Sequence, residues 1–238
     1  MKLRITKDSL LEFLEAVQRV SDSFIFDVQD DGDASVIAMS TDETCFLYGT
    51  TSFEDGVEAT LNIPDAKKLS RAVKFISDDV AQFKLTSNSL KYSSKETRFT
   101  YHLFDDNFLK RPKIKPEKIK AFSFDVNIEL KKDDIRKLLK NASFVEGAGK
   151  LYLYTEDGCL YGEVTDKQRA NTDDVSIVVA ENVDDEVSEI IVKLDNIQML
   201  HLCNEDVLLR INTELGLLAF EIESGLNKFM YILTSLKQ

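Results

Sequence analysis

The sequence predicts an α+β protein of two tandem, similar domains, each built from antiparallel sheets with two helices on one face. Three observations carry this reading. Many short segments alternate apolar and polar residues, the period of a half-buried strand. Four longer segments place apolar residues at helical spacing instead. Features of the first half then recur, in the same order, in the second.

Taken in order, Met1-Lys2-Leu3-Arg4-Ile5-Thr6 alternates like a strand and lacks the apolar block of a signal peptide. A helix is predicted over 7–20, followed by strands near 24–30, 34–40, 44–52 and 57–63. A second helix over 65–76 opens at Pro64-Asp65, and strands near 80–86, 89–93 and 97–104 close the first half. The second half reads as strands near 121–130, 150–155, 159–165, 173–180 and 189–194, then 206–212, 216–223 and 227–234, with helices over 132–143 and 195–202. Strands outnumber helices and only three prolines interrupt the chain, which favours antiparallel sheets with the helices segregated to one side.

The repeat is visible residue by residue. Lys7-Asp8-Ser9-Leu10 through Leu14 reads against Lys132-Asp133-Asp134-Ile135 through Leu139, an offset of 125 (133 − 8). The Asp31-Gly32 turn is matched by Asp157-Gly158 at an offset of 126 (158 − 32). The helix starts Asp65 and Asp195 lie 130 apart (195 − 65), as do the closing strands Phe99-Thr100-Tyr101-His102-Leu103 and Phe229-Met230-Tyr231-Ile232-Leu233 (229 − 99). Four matches in one order point to duplication. The domains are accordingly expected at 1–104 and 121–238. Between them, residues 105–120 carry Pro112, Pro116 and six cations (Lys110, Arg111, Lys113, Lys115, Lys118 and Lys120), the composition of an exposed connector.

With 30 Lys and Arg against 42 Asp and Glu, the formal net charge is −12, which by itself opposes binding to phosphates. The charges are segregated, however. On the second helix Ala66, Leu69, Val73 and Ile76 share one face and Lys67, Lys68, Arg71 and Lys74 the other. On the third, Ile135, Leu138, Leu139 and Ala142 oppose Lys132, Arg136, Lys137 and Lys140. Acids gather instead in two loops, Asp27, Asp30, Asp31 and Asp33 in one, Glu181, Asp184, Asp185, Glu186 and Glu189 in the other. The first helix shows a mixed outer face of Glu12, Glu15, Gln18 and Arg19, and the fourth offers Gln198 and His201.

Enzyme chemistry finds little support. His102 and His201 have no nucleophile beside them, no glycine-rich phosphate loop occurs, and the acid pairs Asp30-Asp31, Asp78-Asp79 and Asp184-Asp185 lie in loops. Cys45, Cys159 and Cys203 are odd in number, lack metal-ligand spacing and read as buried thiols in a reducing compartment. No apolar run approaches the roughly 20 residues that span a bilayer. The expectation is an intracellular, non-enzymatic protein with no cofactor, no metal and no membrane partner.

The duplicated strand–helix–strands–helix–strands unit, the exposed connector and the basic helix faces together resemble the DNA sliding-clamp family, in its viral or bacteriophage form. The segment Lys228-Phe229-Met230-Tyr231-Ile232-Leu233 also resembles the closing strand of proliferating cell nuclear antigen and its phage relatives. The resemblance implies two DNA-clamp domains per chain and a homotrimeric ring that encircles duplex DNA without reading its sequence. It implies as partners a replicative DNA polymerase and a clamp-loader ATPase, in the cytoplasm or at the site of replication. It also implies a subunit joint between strands 97–104 and 173–180 (Arg98, Thr100 and His102 against Val175, Ile177 and Val179), and an apolar pocket for partner tails from Met39, Leu109, Ile114, Ile232 and Leu236. The competing reading is a monomeric polymerase accessory or two-domain interaction protein that forms no ring. Reversing the charge at Lys67, Arg71, Arg136 and Lys140 is expected to impair polymerase processivity while circular dichroism stays native; unchanged processivity removes these residues from the DNA-facing set.

Overall fold

The alternating segments become strands because each has one face to bury and one to solvate, β4 (Cys45–Ser52) alternating without a break over its eight residues. The computed structural model describes residues 1–55, 57–105, 107–169, 172–202 and 205–236, and of Lys120, His201 and Leu202 the backbone alone. Cys203 and the His201 side chain, both singled out above, lie outside the described residues. The chain divides into two units, Met1–Ala121 with Glu223–Phe229, and Phe122–Ile222 with Met230–Gln238.

The first unit runs β1 (Lys2–Thr6), α1 (Lys7–Gln18), β2 (Phe24–Val28), β3 (Asp33–Met39), β4, β5 (Ala59–Ile63), α2 (Ala66–Lys74), β6 (Val80–Leu85), β7 (Ser89–Ser93) and β8 (Arg98–His102). Its strands form two antiparallel runs, β5-β2-β3-β4 and β1-β6-β7-β8. Helix α1 presses Leu10, Phe13, Leu14 and Val17 into the core. The Phe13 ring stacks on Phe26 with centroids 4.9 Å apart and tilts against Phe229 at 5.6 Å. Gly49 on β4 leaves room for that ring, since a Cβ there would stand 3.3 Å from it.

A short helix without a counterpart in the sequence reading, α3 (Pro116–Lys120), follows in the connector. Pro116 at its first position and the extended Lys115 before it explain where it starts. The strand expected over 121–130 is correspondingly shorter, beginning at Val126.

The second unit runs β9 (Val126–Leu130), α4 (Lys132–Ala142), β10 (Lys150–Glu156), β11 (Cys159–Val164), β12 (Val175–Glu181), β13 (Ile190–Lys193), α5 (Leu194–Gln198), β14 (Val207–Asn212), β15 (Leu217–Ser224) and β16 (Asn227–Thr234). The helix expected over 195–202 is α5 followed by a 3-10 turn, Met199–Leu202. The strand orders are β13-β10-β11-β12 and β9-β14-β15-β16. Each corresponds strand for strand to a run of the first unit, so the duplication seen in sequence is a duplication of topology. The β10–β11 hairpin turns on Asp157 and Gly158 with φ of 48° and 74°, the doubly left-handed turn that an Asp-Gly pair favours. Cys45 is buried, its thiol pushed up to about 12 first by burial and then by Asp42, whereas Cys159 is half-buried rather than fully so, and both are free thiols.

Phe13 has no exposed surface. Phe13→Ala is therefore expected to lower stability by about 3–5 kcal/mol, read as a shifted midpoint with unchanged slope in urea unfolding.

Candidate nucleic-acid and partner interfaces

Helix α2 is fixed at its start by its own cap residue and at both ends by groups from other elements. Asp65, in extended conformation, caps its start by accepting from the Lys68 N–H at 2.7 Å. The Asp65 main chain is itself held by Tyr101 of β8, whose hydroxyl accepts from the Asp65 N–H at 3.0 Å and donates to its carbonyl at 2.7 Å. Burial pushes that hydroxyl up to about 12, so it remains a neutral donor. Past the other end, Lys7 Nζ donates to the Ile76 carbonyl at 2.6 Å, a cation where the helix dipole favours one. Ala66, Leu69, Val73 and Ile76 are buried as the spacing predicts, and Lys67, Lys68, Arg71 and Lys74 are exposed. Lys74 pairs with Glu15 of α1 at 3.0 Å, while Lys67, Lys68 and Arg71 face solvent.

Helix α4 has no side-chain cap of its own. Asp206, just ahead of β14, supplies one by accepting from the Lys132 N–H and from Lys131 Nζ, each at 3.0 Å. Those contacts, the backbone N–H first, hold the Asp206 carboxyl below its ordinary range. Ile135, Leu138 and Ala142 are buried, and Leu138 lies directly on Gly162 of β11, where a Cβ would come within 3.0 Å of it. Leu139 is half-buried, at the rim of the apolar stripe. Lys137 and Lys140 are exposed, whereas Lys132 and Arg136 are half-buried, and Arg136 contacts Asp133 at 3.6 Å. Exposed pairs of this kind are worth little, so both helices keep a cationic outer surface.

Strands β8 and β12 each stand at the end of their sheet. Arg98, Thr100 and His102 project outward on β8, alternating with the half-buried Phe99 and the buried Tyr101. On β12, Val175 is half-buried, while Ile177 at 8% exposure and Val179 at 2% point into their own core. What β12 offers at its edge is therefore main chain and the intervening Ser176, Val178 and Ala180.

The pocket residues separate. Met39, Leu109 and Ile114 line one cleft of about 560 Å³, with Ile25, Ile37, Phe46 and Pro112. Ile232 is 3% exposed inside β16, and Leu236 lines a different cleft with Asp125, Glu186 and Leu215. Neither lines the cleft with the other three residues that the resemblance implied, because β16 turns Ile232 into the core and the chain beyond it runs along Ile191, whose carbonyl accepts from the Leu236 N–H at 2.7 Å. The connector wall of the first cleft is anchored by Arg111. Its guanidinium grips the Asp27 carboxylate of β2 with both terminal nitrogens, one at 2.7 Å, and Thr60 donates to the same carboxylate at 3.1 Å. Arg111 holds Asp27 below the usual aspartate range.

Among the described residues no cluster of His, Cys, Asp or Glu could hold a metal ion, and no helix is long and apolar enough to cross a membrane.

No protein-family model matches the sequence, and a search of curated proteins gives no match. Solved structures do match. The chain superposes on A. fulgidus PCNA, solved with the C-terminal region of FEN-1 bound, with a TM-score of 0.79 at 13% identity, covering 100% of this chain and 98% of that one. Proliferating cellular nuclear antigen from Entamoeba histolytica gives 0.77 at 15% identity over 99% and 98% of the two chains. The DNA polymerase III beta subunit of Thermotoga maritima gives 0.73 at 13% identity, this chain matching 65% of its length. The chain has the sliding-clamp fold, over its whole length.

Since Asp27 is depressed in the folded state, the stability it lends the connector is fully present above the ordinary aspartate value of 3.8 and is lost as pH falls through its lower folded value. The protection factors of residues 107–115, exchange rates divided by the intrinsic rate at each pH, are therefore expected to be constant from neutral pH to about 4 and to fall below it, and Arg111→Ala is expected to show the low protection at every pH. Identical exchange in that variant shows that the ion pair does not anchor the connector.

Proposed function

We propose that this protein is a DNA sliding clamp of the viral or bacteriophage type. Three copies close head to tail around duplex DNA, and the ring tethers a replicative polymerase. The observation that carries the reading is the full-length clamp fold combined with cationic faces on α2 and α4 in a chain of net charge −12. Lys67, Lys68, Arg71, Lys74, Lys132, Arg136, Lys137 and Lys140 meet phosphates without reading bases. Such contacts are weak and salt-sensitive, and weakness lets the ring slide. Retention comes from topology, with no bond made or broken, so the role is not enzymatic.

The joint forms where β8 of one copy adds its free edge to β12 of the next, a heterologous contact that closes after three subunits of two domains each. A clamp-loader ATPase opens it on DNA at sites of replication. Polymerase tails dock in the cleft of Met39, Leu109 and Ile114, and tethering raises the polymerase's effective concentration at the primer end. The FEN-1 segment held by A. fulgidus PCNA supports this docking, since a protein of the same fold accepts a partner's terminal region.

Light scattering is expected to give three times the 27.0 kDa chain mass; a stable monomer at micromolar concentration overturns the ring and leaves a monomeric polymerase accessory. Once loaded, the protein is expected to persist on circular DNA and to slide from linear DNA with free ends. Equal lifetimes on both contradict topological retention.

A further inference from the structure

Helices α2 and α4 share more than charge. Residues 67–76 read Lys-Lys-Leu-Ser-Arg-Ala-Val-Lys-Phe-Ile, and residues 136–145 read Arg-Lys-Leu-Leu-Lys-Asn-Ala-Ser-Phe-Val. Both place two cations, a buried leucine (Leu69, Leu138), a third cation (Arg71, Lys140), a buried small apolar residue (Val73, Ala142) and then phenylalanine followed by a buried β-branched residue. The segments are 69 positions apart (136 − 67), not the 125 to 130 of the duplication. One is the second helix of its unit and the other the first, so duplication does not account for the likeness.

The backbone ends both helices alike. Phe75 N–H donates to the Ala72 carbonyl at 3.2 Å and Ile76 N–H to Val73 at 3.0 Å; Phe144 N–H donates to Asn141 at 2.9 Å and Val145 N–H to Ala142 at 3.2 Å. The tightened last turn buries Ile76 and Val145 and turns the rings outward, Phe75 to 70% exposure and Phe144 to 64%. Each ring follows the third cation by four residues and the second by seven, which puts it on the cationic face. Among the described residues neither ring stacks on another aromatic ring.

We propose that Phe75 and Phe144 are stacking contacts for unpaired DNA bases, so that α2 and α4 hold single-stranded DNA or the single-stranded side of a primer–template junction as well as duplex. The inference rests on the sliding-clamp reading above. The cations of each segment suit phosphates, and the exposed ring beside them suits an apolar π-face. Duplex DNA keeps those faces stacked inside, whereas an unpaired strand presents them, and aromatic stacking tolerates any base. Duplex phosphates need only the cations.

The test uses the full chain, with anisotropy of labelled oligo-dT and of a hairpin duplex at low salt. Phe75→Ala and Phe144→Ala are each expected to weaken oligo-dT binding about fivefold or more, to leave the duplex within about twofold, and to keep the wild-type melting temperature. Phe75→Tyr and Phe144→Tyr, which retain a ring, are expected to bind as wild type. No loss on oligo-dT, equal loss on both ligands, or ring-dependent capture of a polyglutamate peptide in place of DNA overturns the proposal. The underlying reading fails separately: Lys67→Ala with Arg71→Ala, and Lys137→Ala with Lys140→Ala, are expected to weaken both DNA ligands, and unchanged binding in these variants removes α2 and α4 from DNA whatever the rings do.

Discussion

A helix lying on a sheet can bury one face only, and the rest of this structure follows from which face α2 and α4 bury. Leu69, Val73 and Ile76 under α2, and Ile135, Leu138 and Ala142 under α4, turn Lys67, Lys68, Arg71, Lys74, Lys137 and Lys140 to the surface and leave Lys132 and Arg136 half-buried. The burial is directional because the helices are held at their ends. Asp65 and Tyr101 fix the start of α2, Lys7 its finish, and Asp206 the start of α4. Each of these groups comes from outside the helix it fixes, so the cationic faces are presented by the tertiary structure at defined positions.

Charge segregation then reconciles a net charge of −12 with the proposed role at DNA. The acids are spread over loops, strands and helix α1, whereas the solvent-facing cations Lys67, Lys68, Arg71, Lys137 and Lys140 are gathered on two helix faces. Where acids do meet these helices, as Glu15 meets Lys74 and Asp133 meets Arg136, the pairs are exposed and screened, and subtract little from the field. A surface that attracts phosphate in two places and repels it elsewhere restricts where a duplex can sit. In the connector, Arg111 is committed to Asp27 and serves structure, while Lys110 and Lys113 remain exposed along the cleft.

Much of this is legible in the chain. Strand and helix periods locate the elements to within a few residues, and the recurring turn, helix-start and closing-strand patterns expose the duplication. The helix wheel of α2 holds in the structure, and that of α4 holds apart from the half-buried Lys132, Arg136 and Leu139, because an amphipathic helix declares its faces through spacing. Helix α3 leaves no such mark, since five residues are too few to show a period, although Pro116 signals its start. The family resemblance groups Ile232 and Leu236 with Met39, Leu109 and Ile114 by position, and only packing shows Ile232 turned inward. Phe75 and Phe144 are equally hidden, for the signal that finds them is a pattern shared by helices that do not correspond in the duplication.

The sequence by itself determined the order of elements, the repeat, and the division of each basic helix into an apolar and a cationic face, because these depend on residues a few positions apart. Only the tertiary structure decided which strands stand at sheet edges, which apolar residues meet in one cleft, and which carboxylates cap or neutralise which cations. Those outcomes join residues as distant as Tyr101 and Asp65, Arg111 and Asp27, or Asp206 and Lys132. No local period encodes such pairs; they are set when the sheets pair and the helices settle on them.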